Sequence, residues 1–321
     1  MKAIVIERIG AFALRECPVP AIAPNEVRIR VTVTGLCRTD LKIVRVGHRD
    51  LVLPRIPGEE VVGVIDAIGA DVSRLQVGQR VYLYPGTCCG TCPACQGGAG
   101  NLCRSMQIMG FHRDGGFAEY VATPEASVIP LPEGLPDDAA IFAEPLSCCL
   151  NGLERGGLQA GDTLGIWGSG PAGMLLRRAA EALGATVWMV DPDPRRRAFS
   201  GAGETPAPGG CDVAIVAVGS LDAYRQAAQS LRPRGCLVFF SGLSPADACH
   251  AYDINSAHYL EQRSAGAYGC TYAHSETAIR WLAEGRIRVD DLVSHRLPLA
   301  ELDTGLGIVE RRDGMKVLLY P

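Results

Sequence analysis

Apolar residues in the first third of the chain come in short runs or in alternation with polar ones, and Val and Ile dominate them. Residues 2–6, 26–34 and 61–69 follow the two-residue period of strands, with proline or glycine in every gap between them. This part predicts a β-rich barrel or sandwich. From about Gly161 the pattern changes. An apolar run over 163–167 passes through glycines into residues 172–183, where Ala, Leu and Arg recur at helical spacing, and 186–190 reads as a second buried strand. Strand, helix, strand in that order is the βαβ unit of a parallel sheet. The pattern returns with a strand over 212–218, a helix over 222–231 and a strand over 236–240, while 198–210 holds too much Gly and Pro for a long helix. A helix over 274–284 and an apolar stretch over 315–320 follow, and no internal repeat is visible.

The 321 residues are 47% hydrophobic and 21% charged, with 38 glycines, which excludes a disordered chain and, without a three-residue period, collagen. That length accommodates two domains of roughly 150 residues. A net charge of -4, and no basic block longer than Arg195-Arg196-Arg197, leave no general field for nucleic acid or a membrane surface. Lys2, Glu7 and Arg8 break the first apolar run before a secretory signal could form, and no stretch reaches the roughly 18 apolar residues of a membrane span. A cytoplasmic protein is expected. Thirteen cysteines without a secretion signal then point to metal ligation or reduced thiols rather than to disulfides.

Cys89, Cys92, Cys95 and Cys103 have the spacing C-x2-C-x2-C-x7-C. Tetrahedral zinc takes four soft donors, and glycine-containing spacers let one loop wrap around it, so one structural zinc is expected. A metal-free loop and an iron–sulfur cluster are the alternatives. Cys88 competes with Cys89, which keeps the even spacing. Gly168-Ser169-Gly170-Pro171-Ala172-Gly173 is G-x-G-x-x-G between a predicted strand and a predicted helix, with Asp191 at the end of the next strand. Gly168 allows the tight turn, Gly170 lets the backbone approach a pyrophosphate, Gly173 lets helix and strand pack, and Pro171 opens the helix whose N-terminus faces the phosphates. Asp191 suits the adenosine ribose hydroxyls, which favours NAD over NADP; Arg195, Arg196 and Arg197 offset that preference, Arg196 being the candidate cofactor contact.

Gly35-Leu36-Cys37-Arg38-Thr39-Asp40, Pro57-Gly58-Glu59-Glu60, the cysteine loop, Asp114-Gly115-Gly116-Phe117-Ala118-Glu119-Tyr120, Glu144-Pro145-Leu146, the glycine turn and Met315-Lys316-Val317 form one ordered series. In this series the chain resembles the zinc-containing medium-chain dehydrogenases, the alcohol, polyol and threonine dehydrogenase family. The resemblance implies an α/β fold: a GroES-like catalytic domain over 1–146, completed by 269–321, and a Rossmann doubly wound parallel-sheet domain over 147–268. It also implies hydride transfer between an alcohol carbon and nicotinamide, with a catalytic zinc as Lewis acid. By position, Cys37, Glu144 and one or both of Glu59 and Glu60 would hold that zinc, Thr39 would begin a proton relay, and Arg38 would grip the cofactor pyrophosphate. Val218 and Tyr268 fall where family strands end against the cofactor. The 198–210 segment falls where the family carries a longer helix and strand, and a dimer or tetramer is the usual assembly.

One departure matters. The family motif Gly-His-Glu is here Gly58-Glu59-Glu60, so a glutamate replaces the histidine ligand. Cys37, Glu59 and Glu144 would bring three negative charges to a dication, and Asp40, which in the family orients that histidine, would face a carboxylate, so one of the two acids must be protonated, moved or metal-bound. Three outcomes fit: a metal held by Cys37, Glu59 or Glu60, and Glu144; recruitment of His48 or His112; or loss of the catalytic zinc. Asn151 reads as packing, and Cys148 and Cys149 as buried thiols that could also help a metal. The function expected is an NAD-dependent dehydrogenase of a secondary alcohol, polyol or amino alcohol. The alternatives are a zinc-free NAD(P)H reductase of an activated C=C or C=N bond, and a non-enzymatic dinucleotide-binding protein.

Overall fold

The computed structural model describes residues 1–248 and 253–321, which divide into two units, 1–144 with 271–321 and 145–270. The first unit opens with a hairpin of β1 (Lys2–Arg8) and β2 (Ala11–Glu16). Next comes β3 (Glu26–Leu36), whose Val27, Ile29, Val31 and Val33 are buried while Arg28, Arg30 and Thr32 alternate with them. Then follow α1 (Arg38–Arg45), β4 (Glu60–Ile68), β5 (Arg80–Leu83), β6 (Gly86–Thr87), α2 (Pro93–Gln96), β7 (Gln107–Ile108), β8 (Tyr120–Pro124), β9 (Val128–Pro130) and α3 (Asp137–Ala140). β3 is the spine of this unit, pairing antiparallel with β4 and with β8. Val27, Ile29, Val61, Ile65, Val81 and Val121 pack one core against it.

α4 (Ala143–Gly156) leads into the second unit, whose elements are β10 (Thr163–Trp167), α5 (Pro171–Ala182), β11 (Thr186–Val190), α6 (Pro194–Ser200), β12 (Cys211–Val216), α7 (Leu221–Gln229), β13 (Leu231–Phe239), α8 (Ile254–Tyr259) and β14 (Arg263–Gly266). The strands form one parallel sheet in the order β11-β10-β12-β13-β14, the doubly wound arrangement. β10 is buried along four of its five residues, as parallel strands covered on both faces are. One expectation shifts here. The helix read over 222–231 is α7 and stops at Gln229, and Leu231 already pairs with Cys211 in β13, which bulges around Pro233-Arg234-Gly235 before Cys236 pairs with Val213. Beyond β11 no further strand follows: a single residue, Gly203, bridges Val190, so 201–210 closes this edge as a loop.

The chain then returns to the first unit through α9 (Tyr272–Ala283), β15 (Val293–Pro298), α10 (Leu302–Arg311) and β16 (Lys316–Tyr320). β16 lies between β15, parallel, and β3, antiparallel, so the last strand is an interior one. Val317 and Leu319 join Ile4, Leu36, Leu41 and Leu306 in a second core of this unit. No helix of the described residues is long and apolar enough to cross a membrane.

Candidate functional site

The cysteine loop is laid out by two short turns. Pro93 starts α2 directly after Cys92, and a 3-10 turn over Gly100–Leu102 delivers Cys103. The four sulfurs of Cys89, Cys92, Cys95 and Cys103 lie within 4.8 Å of one another, and Cys88 is not among them. Individual separations are 3.5 Å for Cys92–Cys95, 3.5 Å for Cys103–Cys89 and 3.9 Å for Cys89–Cys95. Four sulfurs about 2.3 Å from a tetrahedral zinc sit about 3.8 Å apart, so the group fits that ion. Backbone amides of Cys92 and Cys89 donate to the sulfurs of Cys89 and Cys103, each at 3.4 Å, which favours thiolates. The Thr91 amide and hydroxyl hold the Cys89 thiol below its ordinary range, whereas burial and the neighbouring Cys92 sulfur push Cys95 up to about 12. A cation joining them removes that conflict.

Cys37 sits at the junction of β3 and α1, as the N-cap of the helix. The Asp40 carboxylate, one turn on, accepts the Cys37 backbone amide at 2.9 Å. Asp40 thus faces its own helix terminus rather than Glu59. Burial pushes its carboxyl up to about 6, against the lowering effect of the Cys37 hydrogen bonds. The Cys37 sulfur approaches Glu59 Oε1 at 3.8 Å. Burial raises the Cys37 thiol well above its ordinary value, and Asp40, Glu59 and Glu60 add to that.

Glu60 begins β4, is buried, and is tied at both ends: Thr34 Oγ1 donates to its backbone carbonyl at 2.7 Å, and the ammonium of buried Lys316 rests on its carboxylate. Burial alone would lower Lys316, but Glu60, Cys37 and Glu144 outweigh that and raise it. Gly35 makes room for this pair, since a Cβ there would stand 1.8 Å from Glu60 Oε2. Glu60 is therefore the counter-charge of a lysine, not a free donor. Lys316 has no role assigned from the sequence; its signals there are its place in the Met315-Lys316-Val317 motif and its position as a single cation opening the apolar run Val317–Tyr320.

A shared metal fits Cys37 and Glu59, because sulfur and oxygen donors about 2.3 and 2.1 Å from one zinc stand about 3.6 Å apart at the tetrahedral angle. Among the described residues, Glu144 is not gathered with them into a three-donor group. His48 and His112 each spend a ring nitrogen on a local turn, accepting the amides of Asp50 at 3.2 Å and Ile108 at 3.1 Å. Instead, Glu144 and Cys148, one turn apart on α4, bring a carboxylate oxygen and a sulfur within 4.8 Å of each other, and the Cys270 sulfur lies within the same distance of that of Cys148. Thr39 is half-buried in the first turn of α1, and Arg38 beside it is exposed, reaching the Val309 carbonyl at 3.4 Å.

The glycine turn joins β10 to α5. Gly170 is the N-cap, Pro171 follows at the first helical position, and a Cβ on Gly173 would stand 1.9 Å from the Gly168 carbonyl, so only glycine lets helix and turn meet. Asp191, buried at the end of β11, accepts Ser169 N at 2.8 Å and Ser169 Oγ at 2.9 Å on one oxygen, and Asp193 N at 2.9 Å on the other. It holds the turn as well as facing it. Arg195 pairs with Asp193 at 3.2 Å, and Arg197 donates to the Asp191 and Pro192 carbonyls, so two of the three arginines brace this loop. Arg196 lies between them, half-buried on α6. Val218, just past β12, would be the first contact of a Cβ on Gly168. Tyr268 is exposed, and its carbonyl and that of Gly269 accept the Asn151 amide at 3.4 and 2.8 Å.

Comparison with known proteins adds an independent finding. The model of the alcohol dehydrogenase GroES-like domain matches residues 23–133. A sorbitol dehydrogenase of Bacillus subtilis (strain 168) is 30% identical over 346 residues, covering 100% of this chain and 97% of its own. A protein from Sinorhizobium meliloti 1021, solved with NADP bound, superposes with a TM-score of 0.93 at 30% identity, over 100% of this chain and 99% of its own. An alcohol dehydrogenase from Escherichia coli CFT073 in complex with NADH gives 0.91 at 27% identity, over 100% and 99%.

Proposed function

The chain belongs to the zinc-containing medium-chain dehydrogenase family, and from that premise we propose that it moves a hydride between the carbinol carbon of a secondary alcohol, polyol or amino alcohol and NAD. The Cys37–Glu59 approach at 3.8 Å carries this reading, because a sulfur and a carboxylate at that separation offer a dication two donors. Bound there, with Glu144 as the further candidate ligand, zinc would supply Lewis-acid stabilisation of the substrate oxygen. The remaining work falls to the chain. Lys316 neutralises Glu60, which keeps a third full negative charge away from Cys37 and Glu59. Thr39 would accept the alcohol proton and pass it outward. In the second unit the Gly168–Gly173 turn and the N-terminus of α5 would take the pyrophosphate, with Arg196, Val218 and Tyr268 as further cofactor contacts. Arg38, on α1 of the first unit, is a candidate pyrophosphate contact by the family resemblance alone. Asp191 would receive the ribose hydroxyls on a carboxylate already fixed by Ser169, and a 2'-phosphate there would meet its charge; this supports NAD over NADP.

A second reading draws on the same site. Among the described residues no third donor joins Cys37 and Glu59 in one group, and a metal-free reductase of an activated C=C or C=N bond needs none. Zinc per chain separates the two. We expect two equivalents in the wild type and one in Cys37→Ala, together with NAD reduction by a panel of polyols and secondary alcohols that the variant loses. One equivalent in both proteins, with no alcohol-dependent NAD reduction, would favour the reductase. We further propose a homo-oligomer, dimer or tetramer, in the cytoplasm, where the cysteines stay reduced. Light scattering on the purified protein checks the assembly.

A further inference from the structure

Cys148 on α4 and Cys270 lie together inside the second unit, where their sulfurs are within 4.8 Å of each other and neither is in a disulfide. Two features hold them there. Asn151, on the same face of α4 one turn after Cys148, is buried and donates from its amide to the carbonyls of Tyr268 and Gly269, at 3.4 and 2.8 Å. Gly269 has φ +55°, a left-handed conformation that glycine adopts without strain, and its turn sets Cys270 directly after the two clasped carbonyls. The neighbouring Cys149 is engaged elsewhere, its sulfur donating to the Ala172 carbonyl at 3.5 Å. Cys270 is buried and Cys148 half-buried, so Cys148 is the member of the pair that a small solute meets first. The hydride-transfer reading uses neither thiol.

Two thiols this close can share a cation or bond to each other. For a cation the further donor is Glu144, one turn before Cys148, but that carboxylate is already the candidate ligand of the Cys37–Glu59 site and cannot serve both. Bonding to each other needs no third group. Turning one cysteine about its Cα–Cβ bond carries its sulfur about 3 Å, enough to close the gap to a disulfide with the backbone in place. We propose that Cys148 and Cys270 are a peroxide-oxidisable dithiol, reduced at rest and closed to a disulfide when hydrogen peroxide is supplied. The Cys148 thiolate attacks one peroxide oxygen, the O–O bond breaks, and a sulfenic acid and water result; the Cys270 sulfur then attacks the Cys148 sulfur and displaces a second water as the S–S bond forms. Two thiols lose two electrons and two protons, and one peroxide becomes two waters. Exchange with a small thiol reductant reverses the step. Cys148 is the fourth residue of the second unit and Cys270 its last, so the bond would close nearly the whole unit into one covalent ring. A cross-link of that span strongly restricts the unfolded chain, so oxidation should stabilise the unit.

The experiment treats the full-length, zinc-loaded protein with a modest excess of hydrogen peroxide, caps the remaining thiols with N-ethylmaleimide and maps the peptides by mass spectrometry without reductant. A cross-linked peptide joining Cys148 to Cys270 is expected, and dithiothreitol should abolish it. The midpoint of thermal unfolding should rise by about 5 °C or more with the bond and fall back on its reduction. Cys149→Ser should form the same bond. Cys270→Ser should stop at the sulfenic acid of Cys148, trapped by dimedone, with no rise in the midpoint. Capping of both thiols after peroxide overturns the proposal, as does a bond from Cys148 to any other cysteine or its oxidation to the sulfinic acid with Cys270 unbonded. Protection of the pair from peroxide that a chelator lifts would assign it to a cation, and overturns the proposal as well. The wild-type peptide map decides between these outcomes even where Cys270→Ser does not fold.

Discussion

At the scale of single residues, the candidate site is governed by who neutralises whom. Lys316 and Glu60 are both almost fully buried, and each is tolerable there because of the other. Lys316→Met leaves Glu60 as a buried unpaired charge and should cost about 3–5 kcal/mol in denaturant unfolding of the protein. Adding Glu60→Met should return most of that loss; a double variant as unstable as the single one would mean the pair is not the source. Asp191 plays a comparable double part in the second unit. Asp191→Asn removes the charge that a 2'-phosphate would meet, so the ratio of NADP to NAD affinity should rise about tenfold or more. Binding of both cofactors to each protein, followed by fluorescence, checks this. Neither role rests on the residue type alone, since Glu60 depends on an ammonium brought from far along the chain and Asp191 on Ser169 in the turn after the neighbouring strand.

At the scale of elements, the cysteine loop is the clearest case of a segment that needs its ion. α2 has four residues and β6 and β7 two each, and the loop offers little apolar burial of its own. Removing zinc with a strong chelator should therefore melt this loop and lower the midpoint of thermal unfolding by about 5 °C or more. The loss should follow the zinc released from the Cys37→Ala protein, where the cysteine site is the remaining one. An unchanged midpoint after complete zinc release would show that the loop stands without it. Four of the five parallel strands were also readable, because β10, β11, β12 and the second half of β13 are apolar runs bounded by turn residues, whereas β14, Arg-Ser-Ala-Gly, has no apolar run to mark it. The bulge in β13 was not. Leu231 looks like the end of a helix until Cys211 pairs with it, and pairing across the sheet is not written in local periodicity.

At the scale of the whole molecule, the most consequential link is the longest one in sequence. β16 enters the interior of a sheet whose other strands are laid down before residue 131, apart from β15, and it carries Lys316 to Glu60. Deleting residues 316–321 should therefore remove a central strand and a buried counter-charge together. We expect loss of cooperative unfolding, measured by circular dichroism, rather than a modest drop in stability; a truncated protein that still unfolds cooperatively near the wild-type midpoint would contradict this. What the sequence by itself determined is the local and the ordered: the α/β class, the four-cysteine group and the glycine turn, each spelled by spacing within a few tens of residues, and the family, spelled by the order of short motifs along the chain. What only the tertiary structure decided is partnership. It turned Asp40 to its own helix terminus, gave Glu60 to Lys316, drew Cys37 near Glu59, and buried two nitrogens of Arg113 with no hydrogen-bond partner among the described residues. Those outcomes follow from which charges share a low-dielectric interior, and that is set by chain segments up to 256 residues apart.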